Sequence, residues 1–376
     1  MLIFGIIAFA LGITTSIALH EAGHMYAAKA FGMKVRTFAI GMGPALFSRT
    51  PRNSETTYAL AAFPIGGYCD IAGMTALDDD PGDTPMYAQP LYQRIIVLVA
   101  GIFVNFVLGF TILVATAMSV GIPNYNADLT PKITEITAAS PADNAKLHTG
   151  DYITAIDGDP VTRFVDVADM LAPHANTTTT VTTTNQSGQS NEHNVHVSNE
   201  GTIGVRMKPK EPFIEKTGFD IHKAVAQSLA YSKRVIVSSV QGILALPSYV
   251  KPTIDTILGK QERDLEGPVS VIGASHIGGQ LAQNNQWGQF ALVLANLNYF
   301  LALFNVVPLP PLDGGHIMIN IYGAIRDRIR KLRGKAPLVA VNYRPIQVVT
   351  AIIFVAMLLF GLLIITADIT NPVIVQ

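Results

Sequence analysis

Residues 18–32 read ALHEAGHMYAAKAFG, and they close an opening run, MLIFGIIAFALGITTSIAL (1–19), that contains no charged residue. About 20 apolar residues cross the hydrocarbon core of a bilayer as a helix, so the run predicts a membrane span. A cleaved leader is the alternative, but the run lacks a positively charged start and a small-residue cleavage site ahead of the polar cluster. Ionisable groups at such depth are expensive and are read as functional. On a helix His20 and His24 share one face, so both imidazoles can reach a single ion. His-Glu-x-x-His on a helix is the zinc-hydrolase pattern, with the histidines as ligands and Glu21 as general base. A catalytic zinc keeps three protein ligands and a water whose pKa falls to about 7.

The rest of the chain supports a membrane setting. Of 376 residues, 49% are hydrophobic and only 14% charged, against roughly 25% charged in a soluble domain. Mean hydropathy is +0.35. Three further stretches qualify as spans, at 95–120, 290–307 and 346–367. The third span of the four is the most polar, with Asn296, Asn298 and Asn305, which suit hydrogen bonding between helices. A net charge of −1 offers nothing to nucleic acid. The one cysteine, Cys69, excludes an internal disulfide and a Cys-ligated metal.

Lysines and arginines set the orientation. None precedes residue 20 or follows 345, six lie between Lys29 and Arg94, and seven lie between Arg326 and Arg344. The remaining thirteen are spread over residues 121–288, a loop too long to obey the positive-inside rule. Both short connections are therefore expected in the cytoplasm, with both termini and the long loop outside. HEAGH then sits at the cytoplasmic end of the first span.

Four regions follow. Residues 1–120 hold the first two spans and, between them, MKVRTFAIGMGPALFS, TTYALAAFP and IGGYCDIAGM. These read as short strands separated by GMGP, PRNS and GG, hence membrane-associated β-hairpins with an edge strand near 65–74. Residues 121–210 alternate apolar and polar positions around SPADNA, TGD and the tight turn DGDP. The threonine tract at 176–188 reads as a strand edge or a loop. Residues 211–289 carry helical periodicity from 218 to 250, broken at Pro247. That helix either lies on the membrane surface or packs on the outer domain. Residues 290–376 hold the last two spans and NVVPLPPLDGGH (305–316). Its prolines break a helix at the cytoplasmic end of the third span, where Asp313 can turn back to supply the missing ligand. Capping of the following helix is the other role open to that aspartate.

HEAGH, FGMKVRTFAIGMGP, FPIGGYCDIAGM and NVVPLPPLDGG, in this order around one outer domain, resemble the bacterial site-2 proteases. The resemblance implies an α-helical polytopic membrane protein with four transmembrane helices, a membrane-associated β-hairpin region and an extracytoplasmic PDZ domain of α+β type. It implies one Zn2+ held by His20, His24 and Asp313, with Glu21 as catalytic base. Asn305 matches a family asparagine that holds the substrate backbone or oxyanion, unless it only bridges helices. The expected reaction cuts the transmembrane segment of a single-pass membrane protein, such as an anti-sigma factor, after a first extracytoplasmic cut. The expected setting is the bacterial cytoplasmic membrane, with the lipid bilayer and this substrate as partners. A strand carrying Gly66, Gly67 and Tyr68 is expected to pair with the unwound substrate.

Residues 131–209 resemble a circularly permuted PDZ domain, a possible seat for a peptide or substrate remnant. Lys146 departs from it, standing where the family has glycine in Ala-Gly-Leu. The segment 266–279 resembles the family's Gly-Pro stretch, and its His276 reads as structural. His316 reads as a hydrogen-bonded packing residue. Two other classes compete: an inert membrane-anchored peptide-binding scaffold, and an ion transporter. Four intact site residues speak against the first, and a single ligand cluster without an internal repeat speaks against the second.

Overall fold

The apolar opening run forms helix α1 (Leu2–Ala30). It continues past residue 19 because HMYAAKA is rich in good helix formers. It ends where Gly32 takes a φ of +72° and the Met33 N–H returns to the Ala28 carbonyl, a glycine-terminated cap. The computed structural model describes residues 1–75, 78–125, 127–264, 267–336, 338, 341 and 343–374. They fall into two units, Met1–Thr116 with Ser232–Gln376, and Ala117–Tyr231.

Strands β1 (Val35–Arg49) and β2 (Thr57–Ile71) follow α1. The sequence suggested several short strands with GMGP and GG between them. The structure instead has two 15-residue strands with those glycines inside. Gly41, Gly43 and Gly66 have φ of +87°, +90° and +82°, and these bends let each strand fold back on its partner. Residues 37–40 pair with 57–60 on one side and with 67–70 on the other, while 45–49 pair with 58–61. The order across the sheet is therefore 45–49, 57–61, 37–40, 67–71. Among the described residues, 67–71 pairs on one side only, so it is an edge. Helix α2 (Leu91–Ser119) comes next. Met25, Phe38, Ile71, Met86 and Val97 pack into one buried cluster that joins α1, the hairpin and α2.

The second unit contains β3 (Ile122–Pro123), β4 (Pro131–Ile136), α3 (Pro141–Asn144), β5 (Tyr152–Ile156), β6 (Asp159–Pro160) and α4 (Asp166–Leu171). It continues through β7 (Thr178–Thr184), β8 (Ser190–His196), β9 (Val205–Pro209) and β10 (Ile214–Glu215). The main sheet runs β8-β7-β5-β4-β9, with β6 on β5, and β10 pairs with β3. The core is Ile133, Ile153, Val167, Val181, Val195 and Ile203. The threonine tract is no edge: β7 lies between β8 and β5, with Thr179, Val181 and Thr183 buried. β-branched residues favour such a pleated surface, and threonine methyls pack where its polar composition suggested solvent. Ser140 caps α3 through the Asp143 N–H. Lys146 adopts a φ of +56°, a left-handed conformation that costs a side chain about 1–2 kcal/mol. The turn is thus kept without its glycine.

Helix α5 (Ile221–Ala245) crosses the division between the units. Its first half packs within the second unit, where Gln227 donates to the Ile122 carbonyl at 3.3 Å. Val237, Val240 and Leu244 further along are exposed. After Pro247 comes α6 (Val250–Ile257).

Then follow α7 (Val271–Gln283), α8 (Trp287–Val306), α9 (Asp313–Leu332) and α10 (Arg344–Thr370). Glu266, at the head of the Gly-Pro segment, lies outside the described residues. α7, from the stretch expected to be an outer helical segment, packs along the first half of α1. Cβ atoms on Gly278 and on Gly5 would collide with Phe9 and with Gly279 respectively, so small residues set this close approach. His276 bonds to Gln280 at 2.8 Å on that helix, in keeping with a structural role. Asn298, fully buried, bridges α8 to Ser16 of α1 at 3.0 Å. Arg263 and the buried Asp368 pair at 2.6 Å beside the last turns of α10. Among the described residues, four helices, α1, α2, α8 and α10, are long and apolar enough to cross a membrane.

Candidate metal centre and active site

The site forms where the second half of α1 meets α2. A Cβ on Gly23 would stand 2.8 Å from the Ala100 carbonyl oxygen, so glycine lets the two backbones touch. One face of α2, at positions 97, 101 and 105, then backs both histidines. The His24 Nδ1 lies 2.7 Å from the Val97 carbonyl. A carbonyl only accepts, so Nδ1 carries the proton and Nε2 is left with a free lone pair. Gly101 makes room for the rings: a Cβ there would run into His24 and stand 2.9 Å from His20 Cε1.

Asn105 stands behind His20, with its amide nitrogen 3.2 Å from Nδ1 and its Oδ1 buried without a partner among the described residues. The two ends of an amide are assigned from their hydrogen bonds. With Oδ1 turned to the ring, it accepts Nδ1–H and frees the His20 Nε2 as well.

The third group arrives from the far end of the chain. Between α8 and α9 the backbone doubles over the start of α9, and a Cβ on Gly315 would stand 2.8 Å from the Leu309 carbonyl oxygen. Asp313, the first residue of α9, makes no hydrogen bond to its own helix among the described residues. Its Oδ2 instead lies 3.2 Å from His20 Nε2 and 3.3 Å from His24 Nε2, and the two Nε2 atoms are 3.1 Å apart. Three lone-pair atoms aimed at one point suit a cation between them. Ligands 2.0–2.1 Å from a tetrahedral zinc stand about 3.3 Å from one another, so the set fits that ion.

Glu21, on α1, packs against the adjoining edge strand. Its carboxylate accepts the backbone N–H of Cys69, and a Cβ on Gly67 would stand 3.3 Å from Glu21 Cγ and 3.4 Å from Ile17 Cγ2. Tyr68 is 45% exposed, and Gly66 supplies the bend that starts the strand. Asn305 sits in the last turn of α8, half-buried and without a hydrogen bond among the described residues. His316 is not part of the three. It lines an apolar cavity of about 450 Å3 with Ile346 and Phe354, and its Nδ1 has no hydrogen-bond partner among the described residues. Sequence reasoning missed Val97, Gly101 and Asn105. Their signal was an asparagine inside an apolar span, four residues beyond a glycine.

A membrane-embedded peptidase is the class this site and these helices define. The chain matches peptidase family M50 over residues 8–353 and belongs to that family. It is 35% identical to the zinc metalloprotease Rip1 of Mycolicibacterium smegmatis, over 98% of both chains. It is 34% identical to zinc metalloprotease Rip1 of Mycobacterium tuberculosis, over 99% of both. A membrane metalloprotease of Arabidopsis thaliana, ARASP (chloroplastic), is 29% identical over 84% of this chain and 69% of its own length.

Proposed function

We propose that this chain, a zinc metalloprotease, hydrolyses a peptide bond in the transmembrane segment of a single-pass membrane protein. The convergence of His20, His24 and Asp313 beside Glu21, at one end of a membrane-type helix, carries the reading. His20, His24 and Asp313 hold the metal. Zinc, when bound, polarises a carbonyl and lowers the pKa of water. Glu21 takes the proton from the attacking water and passes it to the leaving amine. Asn305 offers an amide donor to the substrate backbone or the developing oxyanion.

A helical substrate hides its peptide bonds in its own hydrogen bonds, so it has to be unwound first. The open side of 67–71 gives the unwound segment a strand to pair with, and Gly66, Gly67 and Tyr68 line that side next to Glu21. The lysine and arginine distribution supports a bacterial cytoplasmic membrane setting with the site towards the cytoplasm. The second unit would then lie outside as a PDZ-type domain, excluding substrates whose outer part has not been removed by a first cut. Anti-sigma factors are one such substrate class.

The test is cleavage of a single-pass model substrate by purified wild type and Glu21→Gln, with zinc assayed in both. Cleavage by wild type and none by a zinc-replete mutant is expected. If neither cleaves although both hold zinc, the inert scaffold becomes the better reading.

A further inference from the structure

A guanidinium outside the metal centre ties down the strand that touches Glu21. Arg36, near the start of β1, donates to both oxygens of Asp70 at 2.8 and 2.7 Å, and to both oxygens of Asp78 at 2.8 and 2.9 Å. It also donates to the Asp80 carbonyl at 2.9 Å. Asp78 in turn accepts the Gly73 N–H at 2.7 Å. Arg36 holds the Asp78 carboxyl down to about 2. Five hydrogen bonds from one side chain are costly to assemble on a surface unless the geometry matters, and the fork of arginine is the group that makes them in fixed directions.

What they fix is specific. Asp70 follows Cys69, whose N–H meets Glu21, and Gly73 lies just past the end of the strand. The outer side of 67–71 has no neighbouring strand among the described residues, so the ladder to 37–40 and the Arg36 fork hold it. We propose that Arg36 is a positioning residue for proteolysis, clamping 67–71 against Glu21 through Asp70 and Asp78. This rests on Glu21 and that strand acting as described above. Arg36 makes its hydrogen bonds to Asp70, Asp78 and Asp80 and none to His20, His24 or Asp313 among the described residues.

Cys69 is the protein's one cysteine, so its alkylation reports on this strand without any engineering. Burial, with the Glu21 carboxylate adding to it, pushes its thiol up to about 12, so it reacts slowly while the strand is seated. The experiment compares wild type, Arg36→Gln and Arg36→Lys in zinc content, kcat and KM on the model substrate, and the rate of Cys69 alkylation by N-ethylmaleimide. Arg36→Gln is expected to keep its zinc, lose roughly 10- to 100-fold in kcat/KM and alkylate about tenfold faster or more. Arg36→Lys, charged but unable to fork, is expected to fall between. Unchanged cleavage and alkylation in a zinc-replete Arg36→Gln would overturn the proposal. So would equal loss in both variants with unchanged alkylation, which would assign Arg36 to something other than holding the strand. An inactive wild type would be a failure of the protease reading, seen before any variant is scored.

Discussion

At the residue scale, the proposed metal centre rests on residues of α2 that are not among its three ligand groups. Val97, Gly101 and Asn105 hold the two imidazoles from behind, and such partners typically contribute 10- to 100-fold to metal affinity. Asn105→Ala should therefore lower zinc affinity by about that factor without unfolding the helices, as a competitive chelator titration would measure. Gly101→Leu should prevent loading altogether, because its side chain would stand where the rings do. His20, Glu21, His24 and Asp313 stand out in the sequence because residue type and spacing mark them, and the structure brings the two histidines and the aspartate together. Asn105 was not, since an asparagine in a span also serves helix packing, as Asn298 does. Lys146 shows the opposite case. Its departure from glycine was visible, but only the structure shows that the turn survives it.

At the element scale, the bent hairpin matters most. Strand propensity was read as a β-hairpin signal, with an edge near 65–74, but the glycines were taken as ends of strands. Whether a glycine ends a strand or bends it depends on what packs beside it, which no local pattern contains. The threonine tract failed for a related reason: its burial between β5 and β8 comes from distant strands. A Cβ on Gly67 would stand 3.0 Å from the Ala39 carbonyl oxygen and 3.3 Å from Glu21 Cγ, so a bulky side chain there has to shift a neighbour. Replacing Gly66 and Gly67 by valine should impair cleavage by about tenfold or more with zinc content intact. Normal cleavage by that double variant would remove strand pairing from the mechanism.

At the scale of the whole molecule, the site joins residues 20, 24 and 313, so the two ends of a long chain meet at one point. A metal bound only by the folded state stabilises it in proportion to the logarithm of its concentration over Kd. Zinc removal should therefore lower the thermal unfolding midpoint of the detergent-solubilised protein, with recovery on adding zinc back. His24→Ala should abolish that response. The four candidate spans were legible because membrane length and hydropathy are one-dimensional signals. The packing of α7 along α1 was not, because glycine contacts carry no hydropathy signature. The open side of 67–71 has one more consequence. Pairing through the main chain is the same for every sequence, so an edge of this kind is indiscriminate about what it receives. Choice of substrate would then be made upstream of chemistry, by which chains are admitted and which of them come unwound.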